Sequence, residues 1–515
     1  MKKRIAPLIL CVITFVALFT RVIYAESLKL DVKEYKLKNG LKLLMLEKHD
    51  VPIVCVRIDY KVGSADERPG ITGVSHLFEH MMFKGTKIFG TRDYTAEKPL
   101  LDKEDELAVK LSAEKSNGDA TDKKKIASLE KELEEVRKKL RDLVVKDDVF
   151  SLYLRQGASG LNAATSTDGT YYFCDLPANK LELWAFIESD RMKNLVLREF
   201  YSERDVVMEE RRLRLENSPF GLLIEQMNAV AFIAHPYRWP TIGWRSDIQN
   251  ITKEETSEYF KRYYTPNNAV VVMVGDFNPE DVIKLVEKYF GDIPGQSAPP
   301  KVKTVEPEQK GERRVEVEFD SNPYIAISYH IPEIGHPDLY ALDVASSLLS
   351  DGRTSRLYKS MIEGKRIAVM AHASDEIGKY PDTFTFIAAP RAPHTVEEIE
   401  SAFYEEVEKL KNTPPSDWEL QKIKNQLEAN FIRDLNSASG LASEIGHFEV
   451  LSDWRYINTF LDKVAQVTAE DVMRIAKKYF TKNNRTVAML VKKESNKKVK
   501  EMKENSESEK STVTY

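Results

Sequence analysis

Cysteine is nearly absent from this 515-residue chain, which has three, at positions 11, 55 and 174. So few thiols exclude a fold built on a disulfide framework. Cys55 and Cys174 lie in strand-like segments, where one bridge and two buried free thiols are both open readings. Cationic excess is lacking too: 76 Lys and Arg face 81 Asp and Glu, for a net charge of −5. Nucleic-acid binding needs clustered positive charge against phosphate, so no nucleic-acid partner is expected. With 42% hydrophobic and 30% charged residues, the composition excludes both a disordered chain and a multi-span membrane protein. The length exceeds what one core usually supports, about 250–300 residues, so two or three cores are expected.

One apolar run stands apart. Lys2, Lys3 and Arg4 precede "IAPLILCVITFVALF" (5–19), and "VIYA" then ends on small Ala25. Residues 1–25 read as a cleavable secretory signal. An uncleaved anchor is the alternative, since Leu8 to Ala25 almost reaches the length of a bilayer span. Cleavage would remove four basic residues, take the charge to −9 and leave no membrane anchor. Export to a periplasm is expected first, and secretion outside the cell second.

The chain also repeats itself. "TKEETSEYFKRYYTPNNAVVVMV" (252–274) aligns without a gap on "TAEDVMRIAKKYFTKNNRTVAML" (468–490), at a constant shift of 216. Each copy reads as a Thr-capped helix, an Asn-containing turn and an apolar strand. Two homologous domains follow, 28–296 and 312–495, joined at the Pro-, Gly- and charge-rich stretch "GDIPGQSAPPKVKTVEPEQKGE", with 297–311 as the linker. Strands such as "IVCVRIDY" and "YIAISYH" mix with long amphipathic helices. The fold class is α+β: two α/β-sandwich domains, each a sheet with helices on one face. Domain one carries an excess at 92–155. There Ile126, Leu129, Leu133, Val136, Leu140 and Leu143 recur in steps of three and four among charges. That spacing predicts an inserted helical hairpin, turning at "SNGD" (116–119). Residues 496–515 lack the apolar content to fold.

The chemistry begins at "GVSHLFEHMMFKGT" (73–86). Residues four apart share a helix face, so His76 and His80 can present two imidazoles to one cation. With Glu79 before the second histidine this is H-x-x-E-H, the mirror of the H-E-x-x-H zinc motif. In such a site the glutamate takes a proton from water, while Zn²⁺ needs a third protein ligand. "EFYSERDVVMEERRLRLEN" (199–217) offers one on a second helix. Glu203 and Glu210 lie two turns apart on one face, and Glu209 points about 100° away. The ordinary alternative is a structural histidine pair and solvated surface acids.

These pieces together, H-x-x-E-H, "NAATSTDGTYYF" (162–173), "ESDRM" (188–192) and "ERDVVMEE" (203–210), resemble the pitrilysin/insulinase family of zinc peptidases. The two-domain group that includes the mitochondrial processing peptidase β subunit matches best, over about 28–495. The resemblance implies one Zn²⁺ per chain on His76, His80 and Glu210, with Glu79 catalytic and Glu203 supporting the site. It also implies that Asn162 and Ala163 hold an extended peptide substrate at a strand edge. Activity as an exported zinc endopeptidase is expected. A non-catalytic assembly subunit is the rival reading, and the intact metal motif argues against it. Family members that are active usually carry an arginine and a tyrosine, seven residues apart, in the companion domain. Here "GRTSRLYKSMIEGKRIAVMAH" (352–372) places Ile362 and Val369 at those positions. Neither side chain donates a hydrogen bond. A homologous partner subunit supplying that pair, in a heterodimer, is therefore expected, with a homodimer as the alternative.

Overall fold

The computed structural model describes residues 29–117 and 122–492. The expected signal peptide, the 496–515 tail and Gly118–Asp119 of the "SNGD" turn lie outside them. The first sheet contains β1 (Lys33–Lys36), β2 (Lys42–Glu47), β3 (Ile53–Tyr60), β4 (Ser159–Thr165), β5 (Thr170–Pro177) and β6 (Ala269–Gly275). Their order is β1-β2-β6-β3-β5-β4. The second contains β7 (Arg313–Phe319), β8 (Tyr324–Ile331), β9 (Ala368–Asp375), β10 (Asp382–Pro390) and β11 (Arg485–Lys492), ordered β7-β11-β8-β10-β9.

The repeat explains the matching order. Thr252 and Glu255 exchange side chain-to-backbone hydrogen bonds at the start of helix Lys253–Tyr263, and Thr468 and Asp471 do the same for Ala469–Tyr479. Each box satisfies amide donors that the helix itself leaves free. After each helix an asparagine closes the turn: Asn268 Nδ2 donates to the Tyr263 carbonyl at 3.0 Å, and Asn484 Nδ2 to the Tyr479 carbonyl at 2.9 Å. The strand that follows enters the middle of its sheet. β6 lies parallel to β2 and antiparallel to β3; β11 lies parallel to β7 and antiparallel to β8.

Each sheet is covered on both faces, and the second cover comes from the other domain. Helix Pro219–Ala231 of the first half packs on β7, β8 and β11, while helix Ala438–Leu451 of the second packs on β3 and β6. Leu44, Cys55, Val270, Val272 and Val274 consequently join the core of the second domain. This double burial is why "IVCV" (53–56) and "AVVVMV" are continuous apolar runs rather than alternating ones. The approach is close. A Cβ on Gly446 would lie 2.1 Å from Asp59 Oδ2, which is itself held by buried Arg57. Glu449 on the same helix pairs with both Lys42 and Lys61 of the first sheet, each at 2.8 Å.

The two cysteines are free and buried. Cys174 opposes Val56 across β3 and β5, so Cys55, one residue earlier, points to the other face of the sheet. A bridge between them is excluded by the pleat. The linker carries no helix or strand, yet it is pinned. The Glu306 carboxylate accepts from the backbone amides of Ile233, Ala234 and His235 at 2.9–3.0 Å.

The insertion is a hairpin of helices Tyr94–Lys115 and Lys123–Leu143. Leu101 and Leu107 of the first helix and Leu133, Val136 and Leu140 of the second form its small core, closed by Val196 of the domain body. A buried ion pair fixes its base, with Glu97 accepting from Arg198 at 2.7 and 2.9 Å. The expected end at 155 is corrected. Helix Asp148–Arg155 belongs to the domain body, because Val149 and Tyr153 are fully buried in the first core and Tyr153 hydrogen-bonds Glu188 at 2.7 Å.

Candidate metal centre

Helix Val74–Met81 starts at Gly73, whose φ of 88° suits glycine, and a Cβ there would meet the Ile242 carbonyl at 2.3 Å. Glu67 caps it, accepting from the Gly73 and Ser75 amides at 2.7 Å each. One face of this helix is buried in the core through Val74, Leu77, Phe78 and Met81. His76 and His80 lie a turn apart with ring centroids 5.0 Å from one another.

Helix Phe200–Arg211 packs opposite. His76 Nε2 lies 3.7 Å from Glu210 Oε1, and His80 Nε2 lies 3.4 Å from Glu210 Oε2. Glu209 instead pairs with Arg212 at the surface, so of the two adjacent acids it is Glu210 that faces the histidines. Among the described residues, His76, His80 and Glu210 are the only group of three such side chains placed to hold a metal, with ligand atoms within 4.8 Å of one another. Donors around a tetrahedral zinc stand about 3.3–3.6 Å apart, and the two histidine-to-Glu210 spacings, 3.7 and 3.4 Å, are near that range; two imidazoles and a carboxylate are also a donor set that zinc accepts.

Glu203, two turns before Glu210, reaches the back of the site. Its carboxylate lies 3.3 Å from His80 Nδ1 and also pairs with Lys84. A carboxylate behind a ligating histidine fixes the ring's tautomer and orientation. Glu79 points to the strand side, accepting from Thr165 Oγ1 at 2.6 Å. Thr165 ends β4, the edge strand that also carries exposed Asn162 and buried Ala163. Among the described residues β4 pairs with β5 alone, and the Asn162 side chain accepts from the Ala163 amide at 2.9 Å.

The electrostatics separate these groups. Burial and the charge of His80 hold His76 down at about 4. Burial also lowers His80, but hydrogen bonds to Glu203 and Glu210 outweigh it and raise it to about 9. Burial pushes the Glu79 carboxyl up against the opposing hydrogen bond from Thr165. Glu210 is held down, first by its hydrogen bond to His80.

His76, Glu79 and His80 stand in the H-x-x-E-H motif, and Glu203 and Glu210, expected from helical phase and the family resemblance, lie beside them in the structure. Thr165, Lys84 and Arg214 were not assigned a role from sequence, although Thr165 lies inside "NAATSTDGT". The expected helix 199–217 ends differently as well. After Arg211 the chain winds a wider π turn over Arg212–Glu216, and Arg214 returns to pair with Glu210 at 2.9 Å. Such turns are commonly found at functional sites. Ile362 sits in a second π turn, Tyr358–Gly364, and packs on the second core, while Val369 lies on β9 with 57% exposure.

Two repeated α/β domains and an inverted His–His–Glu centre in the first define a two-domain metallopeptidase fold. The chain belongs to peptidase family M16. Residues 42–99 match the model of "Insulinase (Peptidase family M16)", and residues 250–427 match "Peptidase M16 inactive domain". The chain is 30% identical to zinc protease PqqE of Helicobacter pylori over 91% of this chain and 94% of that one. It is 22% identical to the mitochondrial-processing peptidase β subunit of Lentinula edodes, over 86% of each. A crystal structure of a protease from Helicobacter pylori superposes with a TM-score of 0.77 at 28% identity, covering 90% of this chain and all of the other.

Proposed function

We propose that the protein is an exported, zinc-dependent endopeptidase acting on peptides or unfolded polypeptides. The observation that carries this reading is the convergence of His76, His80 and Glu210 beside a half-buried glutamate, Glu79, that is not among them. Zinc held by those three residues would polarise the scissile carbonyl and lower the pKa of its water towards about 7. Glu79 is the general base. Its raised pKa moves it towards the working pH, which suits proton uptake from water and return to the leaving amine. Thr165 holds that carboxylate in place. The free edge of β4 at Asn162 and Ala163 takes the substrate as an added strand. Glu203 orients His80.

Ile362 and Val369 support the finer reading that this chain is the metal-bearing subunit of a pair. A homologous partner, in a heterodimer or else a second copy in a homodimer, would bring the arginine and tyrosine missing here. Export to the periplasm is supported by the basic and apolar segment at 1–25. Among the described residues no helix is long and apolar enough to cross a membrane.

Elemental analysis of the purified chain tests the reading. About one zinc per chain is expected, lost in His76→Ala; a wild-type chain that binds no zinc would favour a non-catalytic assembly role.

A further inference from the structure

The inserted hairpin does more than pack on domain one: it walls a groove of about 480 Å³ against the helix that carries Glu203 and Glu210. That volume is in the range of sites for small ligands. Val109, Leu111 and Leu133 of the hairpin supply apolar wall, and Arg137 faces Tyr201 and Arg204 of the metal-site helix. Val109 is 56% exposed, an apolar side chain at an open groove.

The two guanidiniums are not equivalent. Both lie near the Tyr201 ring, Arg137 at 5.9 Å and Arg204 at 5.4 Å from its centroid. Arg137 is neutralised by Glu104 at 2.9 Å. Arg204 makes no ion pair within 4 Å among the described residues. One nitrogen donates to the Ile251 carbonyl at 3.1 Å, and its Nε is buried without a partner. The other charges on the groove are Lys115, which pairs with Glu130, and exposed Asp205. A buried guanidinium donor without an acceptor is costly, and a carboxylate is the acceptor it matches best.

We propose that this groove binds the C-terminal residue of a peptide, the carboxylate on Arg204 and an apolar side chain against Val109, Leu111 and Leu133. The site is separate from the zinc centre and does not depend on catalysis. A bound carboxylate would tie the hairpin to the helix that presents Glu210.

The test is calorimetric titration of the zinc-loaded mature chain with N-acetyl-leucine, N-acetyl-leucine amide and inorganic phosphate. The free acid is expected to bind saturably, and the amide at least ten-fold more weakly. Arg204→Gln should lose at least ten-fold in affinity for the acid while keeping its zinc and melting temperature. His76→Ala should bind the acid as wild type does, even if the zinc reading fails. Equal binding of acid and amide overturns the proposal, as does full affinity in Arg204→Gln. Loss in His76→Ala would place the ligand on the metal instead. Binding of phosphate with none of N-acetyl-leucine would assign the groove to an inorganic anion and reject the peptide terminus. The comparison of acid with amide needs no variant, so it stands if Arg204→Gln misfolds.

Discussion

Glu79 and Glu210 are carboxylates on facing helices at the same pair of histidines, and their surroundings assign them different work. The hydrogen bond from His80 holds the Glu210 carboxyl below its ordinary range, which suits the proposed ligand role, whereas burial pushes the Glu79 carboxyl up. Glu79→Gln should therefore keep its zinc and lose turnover by about 10²–10⁴-fold, read as metal content and peptide cleavage on one sample. In the metal-free chain His80 is raised to about 9 by Glu203 and Glu210, so it is protonated at pH 7.5. Zinc bound as proposed would have to displace that proton, because only the neutral imidazole binds. Titrations in two buffers of different ionisation enthalpy should report about one proton released per zinc; buffer-independent heat would reject the assignment. Glu203→Gln removes the charge behind His80 and should weaken zinc binding about 10–100-fold, with a direct competition assay as the check. At this scale the sequence was most legible. The i, i+4 spacing placed both histidines on one face, but it could not show Thr165 or Lys84, whose contacts come from other elements.

At the scale of elements, the helix–turn–strand repeat was readable because its signals are local: a threonine cap, an asparagine turn and an apolar strand. The exchanged helices were not. Pro219–Ala231 and Ala438–Leu451 are apolar on more than one face, but nothing in either segment says which sheet it covers. Gly446→Ala tests the exchange, since its Cβ would press on Asp59 and Arg57. The expected cost is about 1–3 kcal/mol, measured from denaturant midpoints; an unchanged midpoint would show that the contact yields freely. Helix Leu339–Ser350 is tied to Ala469–Tyr479 through Asp338, which accepts from Arg474, Lys478 and Tyr479 at 2.6–2.8 Å. Burial acts to raise that carboxyl, but these hydrogen bonds outweigh it and hold it well below its ordinary value of 3.8. The stability it contributes is present above that value and is lost as the pH falls below it. Metal-free Asp338→Asn should accordingly show a flatter loss of stability than wild type between about pH 5 and pH 2; parallel curves would contradict this.

For the whole molecule, domain count and the α+β class were legible because the repeat and the linker are sequence features. The interlocking of the halves is a property of the assembled chain, as is the fixing of the linker by Glu306. Each half lays one helix on the other half's sheet, and in the proposed pairing a second chain would supply the other wall of a substrate chamber. Ile362 and Val369 fit that division of labour. If the proposed pairing holds, the chain alone should cleave an unstructured peptide slowly and gain rate when a homologous chain carrying the arginine–tyrosine pair is added; full rate alone would remove the need for a partner. The most direct measurement is the rate of cleavage of a quenched, unstructured peptide as zinc is returned to metal-free protein. The rate should rise to a plateau at one zinc per chain and stay flat in Glu79→Gln. A rate indifferent to zinc, or a Glu79→Gln curve that follows wild type, would contradict the account.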